Sequence, residues 1–125
     1  MKQYTTTNGA TIIVGNNSRE NDYITFELAK ANDLWFHVAN IPGAHVILQS
    51  IANNHNNDDI IYAANLAALN SKYKTLQNNQ QQNNNSVNVN YCKVIDVSKI
   101  SNIYGKVNII NYNTLKVEKV EKVEL

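Results

Sequence analysis

The chain opens with two β-prone runs, residues 4–7 and 10–14, on either side of Asn8-Gly9. That pair supplies the positive φ angles of a type I′ hairpin turn. Gly15-Asn16-Asn17 breaks the second run. From Asn17 or Ser18 the period lengthens. Ile24, Leu28 and Ala31 recur at helical spacing, Tyr23 and Phe26 widen the apolar side, and the pattern stops at Asn32-Asp33. Asn17 with Glu20 three residues on is a variant capping box, and Glu20 and Asp22 suit the positive end of a helix dipole.

From Leu34 the period returns to two. Leu34, Phe36 and Val38 point to one side of a strand, Trp35 and His37 to the other. A second strand runs from His45 to Gln49, after Ile41-Pro42-Gly43-Ala44. Two registers compete for this pair. A two-residue Pro-Gly loop would be a type II turn, whose twist suits a hairpin poorly, and would oppose Phe36 and Val38 with Gln49 and Ile47. A three-residue loop over Pro42 to Ala44 opposes them with Ser50 and Leu48. It gathers Leu34, Phe36, Val38, Val46 and Leu48 on one face and Trp35, His37 and His45 on the other. The second register is preferred, because burying an apolar face fixes register more strongly than turn preference does.

Residues 51–57 read as a polar loop, and Asn57 or Asp58 then caps a helix running to about Leu76. Ile61, Ala64 and Ala68 fall at helical spacing, Leu69 and Tyr73 extend the stripe, and Ala63, Ala64, Ala67 and Ala68 permit close approach to a sheet. Residues 77–86, almost all Asn and Gln, are expected as a flexible loop without a core role. Val87, Val89 and Tyr91 alternate with Asn88, Asn90 and Cys92 as a strand. Val107 to Asn111 and Thr114 to Val117 predict a hairpin around Asn111-Tyr112-Asn113. The terminal VEKVEKVEL repeats every three residues, a period of neither helix nor strand, so 119–125 is expected as a frayed tail. The order ββ-α-ββ-α-βββ predicts one α+β domain over 1–118 with a mainly antiparallel sheet.

Composition bears on function more than on fold. At 125 residues the chain makes one domain with a modest core. No apolar run approaches the ~18 residues of a membrane helix, and the first residues lack a signal-peptide core, so a cytoplasmic location is expected. Cys92 is the single cysteine, which excludes an internal disulfide and a multi-Cys zinc site; alternating with packed positions, it is expected to be inert. A net charge of +1 argues against a strongly basic protein, while leaving room for charge clustered on one face.

The runs Ile13-Val14-Gly15, Glu20-Asn21-Asp22-Tyr23-Ile24-Thr25-Phe26, Asp33-Leu34-Trp35-Phe36-His37-Val38 and Ile41-Pro42-Gly43-Ala44-His45-Val46 closely resemble the NFACT-R domain. Ala63-Ala64-Asn65-Leu66-Ala67 and Asn111-Tyr112-Asn113-Thr114-Leu115-Lys116-Val117 are similar to its second helix and final strand pair. The resemblance implies a nucleic-acid-binding module, chiefly for RNA, of the kind found at the C-terminus of ribosome-associated quality-control factors. It implies the free-standing form, to which the tailing activity of those factors is not carried over. Asn16 stands where the family usually has Arg, and Ala39-Asn40 where Lys precedes Ile-Pro-Gly. Residues 96–106 are a reduced version of its Lys- and Gly-rich stretch. Several phosphate-binding cations are thereby lost, which bears on affinity more than on fold.

The candidate nucleic-acid contacts fall into two groups. Arg19, the only arginine, lies beside a helix N-terminus that itself favours anions, and Lys30, Lys93, Lys99 and Lys106 are further candidate phosphate ligands. Trp35, His37 and His45 offer rings for stacking against bases, set against the alternative of a second buried face covered by a helix, which is favoured for Trp35; Pro42 and Gly43 set the loop that aims His45, and Asn21 joins them from its END motif. A shared metal on His37 and His45 is disfavoured, because the preferred register separates them by about four residues of strand, roughly 13 Å. No metal or other cofactor is expected. Pairing Glu20, Asp22 or Asp33 with the histidines for phosphodiester chemistry is set against their plainer service as helix and turn caps. The leading expectation is a non-enzymatic module for rRNA or tRNA, with DNA open. The alternatives are an adaptor docking its Ile41 to Ala44 loop on a ribosomal or quality-control protein, and a metal-dependent hydrolase.

Overall fold

The computed structural model describes residues 1–72 and 86–118. The expected helix end at Leu76, the loop over 77–85 and the tail over 119–125 lie outside the described residues. Among those described are eight strands, two α-helices and two short turns of other helical type.

The first hairpin forms as expected, from β1 (Lys2–Thr5) and β2 (Thr11–Val14), but around a wider loop. Only Gly9 takes a positive φ (86°), so Asn8-Gly9 is not a type I′ turn. The Thr6 hydroxyl accepts from the Ala10 N–H at 3.0 Å, and the Thr6 N–H donates to the Ala10 carbonyl at 2.8 Å, closing the loop instead.

Helix α1 (Ser18–Tyr23) begins at the expected cap: Asn17 Oδ1 accepts from the Glu20 N–H at 2.9 Å, while Glu20 Oε1 accepts from the Asn16 N–H at 3.0 Å. It then widens into a π turn (Ile24–Leu28), closed by the Ala29 N–H on the Ile24 carbonyl. This shortens the helix relative to expectation and changes its phase, leaving Tyr23 exposed and Ala31 outside.

Strands β3 (Leu34–Val38) and β4 (Val46–Leu48) pair antiparallel with Leu34 opposite Leu48 and Phe36 opposite Val46. Neither expected register is adopted; the pairing is shifted by four residues from the preferred one. The intervening loop is wide because α2 holds it: the Ala44 N–H donates to the Asn70 carbonyl at 3.1 Å and the Lys72 N–H to the Pro42 carbonyl at 2.9 Å. An even shift preserves the faces. Leu34, Phe36, Val38, Val46 and Leu48 do share one buried cluster.

Helix α2 (Asn57–Leu69) is capped by Asn56, whose Oδ1 accepts from the Asp58 N–H at 2.8 Å. Its alanines at 63, 64, 67 and 68 are buried against the sheet, whereas Ile61, expected on that stripe, faces solvent. Strand β5 (Ser86–Lys93) starts at Ser86, which therefore belongs to a strand and not to the Asn/Gln-rich loop. A turn over Val94–Asp96 leads to β6 (Val97–Lys99), which sequence pattern missed. Strand β7 (Val107–Ile109) pairs with β6, and β8 (Asn113–Glu118) pairs with β5, so the expected hairpin around Tyr112 does not form.

The main sheet has the order β1-β2-β4-β3-β5-β8, with every neighbouring pair antiparallel. Helix α2 covers one face. The other face, carrying Ile13, Trp35, Ile47 and Cys92, is covered by Ile24 and the π turn and by Val97, Val107 and Ile109 of the β6–β7 pair. An α+β sandwich with both sheet faces buried results.

Candidate nucleic-acid interface

His45 lies where four segments meet. Its backbone N–H donates to Asn21 Oδ1 at 3.0 Å, and its carbonyl accepts from the Gly15 N–H at 3.1 Å. Its ring contacts Thr25 Oγ1 through Nδ1 at 2.9 Å and the Gly105 carbonyl through Nε2 at 3.2 Å. A carbonyl only accepts, so Nε2 carries the proton and Nδ1 accepts from the Thr25 hydroxyl. That neutral tautomer satisfies both nitrogens. Burial, with His37 close by, pushes the His45 pKa down to about 4. At 2% exposure the ring ties α1, the β3–β4 loop and the β6–β7 loop together.

His37 stands opposite. The two imidazole centroids are 5.6 Å apart, and Trp35 lies nearly parallel to His37 at 5.8 Å and edge-on to His45 at 5.2 Å. The register shift is what closes the expected separation of roughly 13 Å between the histidines. The distance argument against a shared metal therefore fails; among the described residues, however, no three metal-ligating side chains cluster, and both His45 nitrogens are occupied. His37 is half-buried, and burial holds its pKa below the ordinary imidazole value.

Beside these rings runs a cleft of about 510 Å³, bounded by the loop carrying Asn40, Ile41, Pro42 and Gly43 and by Tyr104-Gly105-Lys106. Gly105 is needed where it stands: its φ is +75°, and a Cβ there would approach Ser18 Cβ at 3.3 Å. Asn40 likewise takes a positive φ (63°), a conformation Asn tolerates better than most residues. Among the described residues no aspartate or glutamate lines the cleft, and Lys106 is the one lysine or arginine that does.

Next to the cleft mouth, Tyr104 is half exposed and carries two cations. The Arg19 guanidinium lies 5.3 Å and the Lys99 ammonium 5.5 Å from its ring centroid. Lys99 also pairs with Asp22 at 2.9 Å. Of the expected residues, the structure thus brings together Arg19, Asn21, Trp35, His37, Pro42, Gly43, His45, Lys99 and Lys106. Lys30 and Lys93 are not among them: Lys30 precedes β3, Lys93 pairs with Leu34, and the cleft lies at the Val38 end. Trp35 is 3% exposed and packs in the second core cluster, matching the expected alternative of a covered face. Cys92 is buried in the same cluster, and desolvation pushes its thiol pKa up to about 11, which disfavours the reactive thiolate.

Sequence reasoning missed Tyr104, Thr25 and Asn90. The signal for Tyr104 was present: an aromatic residue before Gly-Lys in a stretch without apolar periodicity has no packing reason to be there. Thr25 stood only as a member of the run that resembles the family, with nothing to mark it as the partner of His45, and Asn90 carried no signal, since its role depends on which strands meet.

The fold and site define an α+β domain with a cleft beside the paired imidazoles of His37 and His45 and with Lys106 in its lining. The chain belongs to the family described as the NFACT protein RNA binding domain, whose model matches residues 1–111. It is 37% identical over 99 residues to the Rqc2 homolog RqcH of Bacillus subtilis, covering 79% of this chain and 16% of that protein. The Rqc2 homolog RqcH of Streptococcus pneumoniae is 34% identical over 123 residues, 96% of this chain and 20% of that one. The solved structure of the C-terminal of the fibronectin/fibrinogen-binding protein from Streptococcus suis matches with a TM-score of 0.80 and 32% identity over 93% of this chain and 44% of that chain. The chain therefore spans a fifth or less of the length of these curated relatives.

Proposed function

We propose that this domain binds structured RNA, such as ribosomal or transfer RNA, without catalysing a reaction on it, and serves ribosome quality control. The observation that carries the reading is half-exposed Tyr104, with the Arg19 guanidinium 5.3 Å and the Lys99 ammonium 5.5 Å from its ring centroid and Lys106 lining the adjoining cleft; Glu20, Asp22 and Glu27 border the Arg19 side. Cations supply sequence-independent phosphate affinity, and an exposed ring beside them offers a stacking surface for a base. Arg19, which makes no ion pair among the described residues, is the strongest phosphate ligand of this set. Asn21, Trp35 and His45 act from beneath, holding the loops that form the cleft. Family membership and the relatives named Rqc2 homolog RqcH support the same reading.

Anisotropy titration of labelled transfer RNA, single-stranded RNA and duplex DNA, at two salt concentrations, tests it. Binding to RNA that weakens with salt and with Arg19→Ala is expected. Absence of binding to every probe at low salt overturns the reading.

A second reading has one observation in its favour. Ile95, Ile110 and Tyr112 are exposed large apolar residues, and the Ile110 N–H donates to the Asp96 carbonyl, which brings the two segments together. An adaptor docking a protein there would bind with little salt dependence.

A further inference from the structure

The loop that bounds the cleft beside His37 has a second flank. On its other side Lys2, Asn16, Asn17, Asn70 and Lys72 surround a further cleft, and the two clefts share Ser18, Asn21, Pro42 and Gly43. Pro42-Gly43 is therefore a ridge with a cleft on each side. Residues just beyond α2 hold it in place: the Ala44 N–H donates to the Asn70 carbonyl, the Lys72 N–H to the Pro42 carbonyl, and Gly43 forms an antiparallel bridge with Ser71. The same contacts place two cations. Lys72 is anchored to the ridge through its backbone, and Lys2, at the start of β1, brings its Nζ to 3.5 Å from Asn70 Oδ1. Both lysines are exposed, and neither forms an ion pair among the described residues. Among those residues no aspartate or glutamate lines this second cleft either. Glu20, in the first turn of α1, is already engaged by the Met1 ammonium at 2.8 Å and the Asn16 N–H at 3.0 Å.

A single exposed lysine is ordinarily no more than a solvated charge. Here two unpaired lysines share a cleft lined mainly by asparagine, serine and glycine, and a third, Lys106, lies across a common ridge. Amides and hydroxyls donate to phosphate and sugar oxygens, so such a lining suits a nucleic-acid backbone and carries no base preference. We propose that one RNA strand crosses the Pro42-Gly43 ridge, with Lys106 holding a phosphate on one side and Lys2 and Lys72 together holding another on the far side. The inference rests on the RNA-binding reading and extends its contact surface to two lysines outside the Tyr104 cluster.

The experiment titrates the whole chain with labelled transfer RNA and with a short single-stranded RNA across a salt series, reading anisotropy. Lys2→Ala/Lys72→Ala is expected to bring the slope of log K against log salt roughly 0.7 to 1 closer to zero, and Lys2→Arg/Lys72→Arg to leave it unchanged. Adding Lys106→Ala to the alanine pair is expected to double the shift. Asn16 is exposed and lines the second cleft, so Asn16→Lys is expected to tighten binding and steepen the slope by a similar amount, a gain that misfolding could not produce. At saturation one short RNA is expected per chain. RNA binding whose slope moves with neither Lys2→Ala/Lys72→Ala nor Asn16→Lys overturns the crossing and leaves the RNA-binding reading standing. Two short RNAs per chain also overturn it, because the clefts are then separate sites. Failure of both RNAs to bind at low salt overturns both readings together.

Discussion

Keeping His45 neutral ties the stability of the domain to pH. Its ring is buried between Thr25 Oγ1 and the Gly105 carbonyl, and its pKa lies at about 4, below the ordinary 6.5. Above 6.5 the folded and unfolded chains both leave it uncharged. Between 6.5 and about 4 the unfolded chain takes up a proton that the folded one refuses, so stability is lost as pH falls through that window. A shift of this size corresponds to about 3 kcal/mol, complete near pH 4. Urea unfolding at pH 7 and pH 4.5 should therefore show a steeper loss for the unaltered chain than for His45→Gln; equal losses would rule the ring out as the source. Gly15 is constrained for a related reason. A Cβ there would run into Asn21 Oδ1, the acceptor of the His45 N–H, and would lie 3.0 Å from the Asn21 backbone N. Backbone cannot step aside as a flexible side chain can, so Gly15→Ala is expected to cost roughly 1–3 kcal/mol by the same unfolding assay.

Between elements, the short helix α1 has more attached to it than its six residues suggest. It presents Arg19 to Tyr104 and Asn21 to His45, and its start depends on the Asn17 side chain accepting from the Glu20 N–H. Asn17→Ala should destabilise the domain by about 1 kcal/mol with an unchanged denaturant slope, and Asn17→Ser should restore most of the loss. This cap was legible in the sequence, because it is settled within four consecutive residues. The faces of β3 and β4 were legible too, since period-2 alternation reports side and survives any even shift in register. The register itself was not: it depends on Pro42 and Ala44 bonding to Lys72 and Asn70 at the far end of α2, contacts that no local pattern contains. Pairing β7 with β8 was the natural local choice, yet β7 goes to β6, a three-residue strand too short to announce itself. The floor of the cleft could therefore be read from alternation, whereas the residues that close over it, Tyr104 and Gly105, could not.

For the molecule as a whole, the net charge of +1 limits how it can hold RNA. A strongly basic protein binds through a diffuse field spread over much of its surface. This chain lacks the net charge for such a field, so on the proposed RNA-binding reading its affinity would come from the few cations around Tyr104 and the cleft, and the salt dependence should be shallow. Neutralising about two or three phosphates predicts a slope of log K against log salt of roughly −2 to −3. Each true phosphate ligand removed should bring that slope about 1 closer to zero. Arg19→Ala and Lys106→Ala are expected to do so. Lys30→Ala and Lys93→Ala, toward the Leu34 end of the sheet, are expected to leave it unchanged. Lys99→Ala should have a smaller effect than Arg19→Ala, because its ammonium is already partly neutralised by Asp22 at 2.9 Å. Anisotropy titrations of one RNA across four salt concentrations would measure all five slopes. If the four fully counted cations reduced the slope equally, the charge would be read from the whole surface, and the cleft would lose its claim to be the binding centre.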